Sequence, residues 1–131
     1  MNARALHDEV AAFFESFVEA FSAFSGAGVA TLYFVPSVAL RGDGSIQCLQ
    51  ARADIERFFQ AALDGYYRDG CRASRFIDLD VVPMGGRSVL GTVTWQLQGE
   101  NGGVLKEWRQ SYNLVRVEKG WQILASTYHV G

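Results

Sequence analysis

Apolar residues in this chain recur with one period before Gly70 and another after it, and that switch limits the available folds more than any other feature. Val10, Phe13, Phe14, Phe17, Val18, Phe21 and Phe24 fall at helical spacing, while Asp8, Glu9, Glu15 and Glu19 occupy the other side. The pattern predicts an amphipathic helix over about Arg4 to Phe24, stopped by Ser25, Gly26 and Gly28. A second helical stretch is predicted over Val29 to Phe34, ending ahead of Pro36. Ile55, Phe58, Phe59, Ala62 and Leu63 carry the same period into a third helix, with Asp54 and Glu56 near its positive end and Gly70 as its stop.

Beyond Gly70 the period is two, which predicts strands near Arg72 to Val82, Ser88 to Gln98, Val104 to Val117 and Trp121 to Val130. The turns Met84-Gly85-Gly86-Arg87, Glu100-Asn101-Gly102-Gly103 and Glu118-Lys119-Gly120 are short enough to force antiparallel hairpins. A compact hairpin, Val38 to Arg41 and Ser45 to Leu49 around Gly42-Asp43-Gly44, is inserted between the second and third helices. Helices collected ahead of a run of strands imply an α+β fold, a curved antiparallel sheet wrapped around N-terminal helices. At 131 residues without a linker or internal repeat, the chain reads as one domain over residues 1–131.

Strand alternation predicts which side chains face the helices. Val89, Val93, Trp95 and Leu97 share the inner face of their strand, as do Trp108, Gln110, Tyr112 and Leu114 of the next. Trp121, Ile123, Ala125, Thr127 and His129 share one face of the last strand, which turns His129 inward. So many inward aromatics exceed what a thin two-layer core packs solidly, which predicts an apolar pocket for a hydrophobic small molecule. Its expected lining is Phe17, Phe21, Tyr33, Trp95, Trp108 and Tyr112, with Arg41 and Gln110 as polar members. An inward Arg41 would need an anion beside it.

The formal net charge is -2, and no block of like charge gives the footprint that nucleic acid or an anionic membrane requires. Neither partner is expected. No apolar run approaches the roughly 18 residues that span a bilayer, and acidic residues interrupt the start of the chain, so a cytoplasmic location is expected. Cys48 and Cys71 lack metal-binding spacing, and neither His7 nor His129 has an acidic residue at ligand spacing. Neither metal nor cofactor is expected.

Three segments carry a resemblance: Leu32-Tyr33-Phe34 before a strand, Arg52-Ala53-Asp54-Ile55-Glu56-Arg57-Phe58-Phe59 opening a helix, and Gly120-Trp121-Gln122-Ile123 opening the final strand. They resemble the nuclear transport factor 2-like superfamily, which includes SnoaL-like cyclases, ketosteroid isomerases, scytalone dehydratase and limonene epoxide hydrolase. The resemblance implies a cystatin-like cone with an apolar pocket and dimers through the sheet. The isomerase-like acid-base set does not carry over. Its aspartate base falls on Arg41 or Gly42 with Asp43 just beyond, its protonated aspartate on Tyr112 or Asn113, and its helical tyrosine within Phe13 to Phe17. The epoxide-hydrolase-like arginine and aspartate pair also fails, since Arg109 is followed by Gln110 and Ser111.

Two functions follow as expectations. One is acid-base chemistry, as a lyase, cyclase or isomerase, with His129 as proton carrier beside Tyr112 and Asp43. The other is a non-catalytic ligand-binding or dimeric interaction module. The outward set Thr92, Thr94, Gln96, Gln98, Arg109, Ser111, Asn113 and Val115 carries little charge, which predicts a homodimer through this sheet face.

Overall fold

The phenylalanine stripe forms helix α1, Ala3–Ser22, in a computed structural model that describes residues 2–131. The Asn2 carboxamide oxygen accepts from the Ala5 amide at 2.7 Å and caps the helix start. Val10, Phe13, Phe14, Phe17 and Phe21 are buried, as the helical spacing requires. Helix α2, Gly26–Ala30, is a short connector, and α3 spans Arg52–Arg68. A Cβ at Gly26 would sit 2.5 Å from the Glu56 carbonyl oxygen, so this close crossing of α2 over α3 excludes any side chain there. Arg52 ties the same corner together, donating to the Ala30 and Tyr33 carbonyls.

The strands are β1 (Tyr33–Leu40), β2 (Ile46–Leu49), β3 (Ala73–Pro83), β4 (Ser88–Gln98), β5 (Val104–Val117) and β6 (Gly120–Tyr128). They form one curved, unclosed sheet in the order β2-β1-β6-β5-β4-β3, and the helices cover one face of it. Every neighbouring pair is antiparallel except β1 with β6, which the long connection through β2, α3 and the three strands β3 to β5 makes parallel. Helix α1 lies close against β4 because Gly91 presents no side chain; a Cβ there would come within 3.1 Å of the Phe14 ring.

Two expectations need correction. The second helix stops at Ala30, and Tyr33 to Phe34 already belong to β1. Aromatic and β-branched residues favour the strand there, and Pro36 is tolerated because the pairing with β6 is interrupted between Tyr33 and Val38. The second correction concerns β6. Leu114 pairs with Ile123 but Asn113 pairs with Ala125, so Leu124 is one extra residue. This bulge inverts the alternation beyond it, turning Ser126 and Tyr128 inward and Thr127 and His129 outward. Among the described residues, no helix is long and apolar enough to cross a membrane.

Candidate functional site

A cavity of ≈ 350 Å³ opens between α1, α3 and the concave face of the sheet. Its closed end is set by α1 and the central strands. There Phe17 lies 5.1 Å from the Trp95 ring and 6.2 Å from Tyr112. The Trp95 indole N–H donates to the Tyr112 hydroxyl at 2.7 Å, both residues being buried. That bond uses one lone pair of the phenol and leaves its proton free, since no acceptor among the described residues takes it. Accepting from the indole also polarises the O–H and makes it a better donor.

The open end is aromatic and cationic. Trp108 and Tyr128 stack at 5.7 Å with an interplanar angle of 8°. The backbone of Gly42 packs on Tyr128, whose ring would stand 3.0 Å from a Cβ at that position. Arg41 lies over Phe58 at 5.1 Å, and the Lys106 ammonium lies 5.2 Å from the Trp108 ring and 5.6 Å from Tyr66. The Trp108 N–H donates to the Gln110 side-chain oxygen at 2.8 Å. Because an indole N–H can only donate, the amide oxygen of Gln110 must face it, which leaves two amide donors to place elsewhere.

The ionisable side chains lining the cavity are Arg41, Asp43, Lys106 and four phenols, Tyr33, Tyr66, Tyr112 and Tyr128. Burial drives the Tyr33 and Tyr112 hydroxyls far above their ordinary value, and the proximity of Tyr33 adds to the rise at Tyr112. Burial also raises Tyr66, with Tyr128 adding to it. These three phenols are therefore neutral donors at physiological pH. Asp43 moves the other way. Hydrogen bonds from the Ser45 hydroxyl at 2.6 Å and the Ser45 amide at 2.9 Å, with help from Arg41, hold its carboxylate below the usual range.

The structure places Phe17, Phe21, Tyr33, Arg41, Asp43, Trp95, Trp108, Gln110 and Tyr112 on this cavity. It does not bring His129 to them. The imidazole is exposed on the outer face, where Nε2 meets the Ser111 hydroxyl at 2.8 Å, because the Leu124 bulge reverses its direction. Tyr66, Lys106, Ser126 and Tyr128 line the cavity without having been anticipated. Tyr66 continues the helical face of Phe59 and Leu63, and Lys106 the alternation of Trp108 and Gln110, so both were readable. Ser126 and Tyr128 were hidden by the same bulge. Among the described residues, no group of three or more His, Cys, Asp or Glu is placed to hold a metal ion.

Solved structures share this architecture. A domain with a cystatin-like fold from Nostoc punctiforme, of unknown function, is 21% identical, with 97% of this chain and 78% of that one covered at a TM-score of 0.71. Aln2 from a Streptomyces species is 19% identical, covering 98% and 92% at 0.76. A candidate dehydratase of the NTF2-like family from Streptomyces avermitilis is 12% identical, covering 99% and 100% at 0.72. At these identities the likeness extends to the fold alone. No match was found among curated proteins. The family model described as NTF2-like protein (DUF6841) matches residues 8–130, and the chain belongs to that family.

Proposed function

We propose that this protein binds a flat, hydrophobic small molecule in the cavity and holds an oxygen atom of it by the Tyr112 hydroxyl. The observation that carries the reading is the free proton on a buried phenol that already accepts from Trp95. Aromatic walls supply the affinity and a few fixed donors the orientation. Binding without proton transfer fits the lining best. The raised phenols do not give up protons near neutrality, and Asp43, held low by Ser45, is a poor proton acceptor. The acid-base reading loses its carrier with His129 outside and retains Tyr112, which holds its proton, and Asp43. Unbridged Cys48 and Cys71 fit a reducing, cytoplasmic setting.

Titration of the protein with 2-naphthamide, followed by tryptophan fluorescence, tests the reading. Saturable binding is expected, weakened about tenfold in Tyr112→Phe, in line with the loss of one hydrogen bond. No binding of either this amide or the carboxylate of the same shape, 2-naphthoate, up to the solubility limit, or unchanged affinity in the variant, overturns it.

A homodimer through the outer sheet face belongs to the same proposal. Pairing aligns Cys48, Val38, Ala125, Asn113, Leu90 and Val82 across all six strands, a nearly apolar row beside the hydrogen-bonded Thr92 and Ser111. Light scattering should give twice the 14.5 kDa of one chain, reverting to one in a Thr94→Arg, Ser111→Arg variant. A monomer from the outset would defeat it.

A further inference from the structure

We infer that the molecule bound in the cavity is an anion, a flat hydrophobic carboxylate whose charged group meets Arg41 and Lys106 at the mouth. The inference rests on the binding reading above and names the ligand class for the same site. Both cations belong to one rim. Lys106 lies over Trp108, Trp108 stacks on Tyr128, Tyr128 packs on Gly42, and Arg41 precedes Gly42 and lies over Phe58. Ion pairs among the described residues join His7 with Asp8, Arg57 with Asp54 and Arg116 with Glu9; neither Arg41 nor Lys106 has a carboxylate partner.

The carboxylate on this rim, Asp43, is already engaged by the hydroxyl and amide of Ser45 through one oxygen. Two cations against one committed acid make the mouth positive in a chain whose net charge is -2. Deeper in, the Tyr112 proton and the Gln110 amide add donors with unfilled capacity, beside the Tyr33, Tyr66 and Ser126 hydroxyls, which can donate or accept. A lining rich in donors selects a ligand rich in acceptors, and aromatic floors beneath the cations keep them from folding away into water. A neutral ligand would leave both charges without a partner as it covered them, at a cost in affinity.

Calorimetric titration at low salt with 2-naphthoate and with 2-naphthamide, two probes of one shape that differ in charge, decides the matter. The carboxylate is expected to bind at least about tenfold more tightly, a gap of about 1.4 kcal/mol. Added sodium chloride should narrow that gap. In Arg41→Gln, Lys106→Gln the advantage of the carboxylate over the amide should disappear, the carboxylate losing most of its affinity. Both side chains are exposed, so the variant keeps its core intact. Equal affinities in the parent protein, or equal loss of both probes in the variant, overturn the inference and leave the binding reading standing. Failure of both probes to bind removes the binding reading itself, and this inference with it.

Discussion

On the outer face of β4 and β5 the hydroxyls of Thr92 and Ser111 meet at 2.7 Å, whereas on the inner face Tyr112 takes the Trp95 N–H at 2.7 Å and keeps its own proton. The contrast extends along both faces. Outside, Arg75 donates to Gln96 at 2.6 Å, Gln96 to Glu107, and Arg109 to Thr94 and the Asp78 carbonyl, each at 3.0 Å. These side chains bridge neighbouring strands and satisfy one another. Inside, aromatic rings supply the packing, and the polar groups among them retain donors that face the cavity. Polar residues on the outer face thus hold the sheet together, while those on the inner face are arranged for something the chain does not itself provide.

Removing the packing behind the inner face is expected to have the largest effect. Phe14 is fully buried and does not line the cavity, yet its ring lies 5.3 Å from Tyr112, 6.2 Å from Trp95 and 5.8 Å from Phe76. Phe14→Ala should lower stability by about 3–5 kcal/mol, read from urea denaturation. It should also weaken 2-naphthamide binding, because Trp95 and Tyr112 lose the surface that fixes them. A loss below about 1 kcal/mol would show that the inner face is not held from behind by α1.

Alkaline pH probes the same face through its phenols. Tyr33 and Tyr112 have folded-state values raised above the ordinary 10.0, so the unfolded chain releases their protons first. Their contribution is complete below pH 10 and is lost as pH rises from there toward the higher folded values. Each phenol costs about 1.4 kcal/mol per pH unit while the pH lies between its unfolded and folded values, so Tyr33 removes on the order of 1.4 kcal/mol by pH 11, and Tyr66 and Tyr112 act in the same direction. Denaturation midpoints at pH 9 and pH 11 measure this, and Tyr33→Phe should shrink the difference by about the share of that one phenol. A flat response would place these hydroxyls in water.

Periodicity made the helices and strands legible, because burial on one side dictates residue spacing. It also identified most of the cavity wall: alternation alone turns Trp95, Trp108, Gln110 and Tyr112 inward. Lys106 and Tyr66 obeyed the same periods, but a lysine and a helix-end tyrosine carry no mark that separates a cavity rim from a solvated surface. The direction of His129 was not legible. A bulge depends on how two strands pair, and Leu124 looks like any other strand residue, so one inserted position reversed every side chain after it. Pro36 misled for a related reason, since its missing N–H matters only where a ladder bond is demanded.

The smallest expected effect is the one that separates the faces most cleanly. His129 is exposed near the chain end, and its side-chain contact is with Ser111 on the outer face. Ser111 keeps Thr92 as a partner if the imidazole is removed, so no buried group is left unsatisfied. His129→Ala should therefore change stability by less than about 0.5 kcal/mol. Affinity for 2-naphthamide should be unchanged, because every cavity contact is made through the other side of the sheet. The same pair of measurements on Tyr112→Phe should move together, since that substitution strands the buried Trp95 N–H and removes the inner donor in one step. A fall in probe affinity in His129→Ala at unchanged stability would mean that the outer face communicates with the cavity through β6, and the division of labour between the two faces would fail at the strand that joins them.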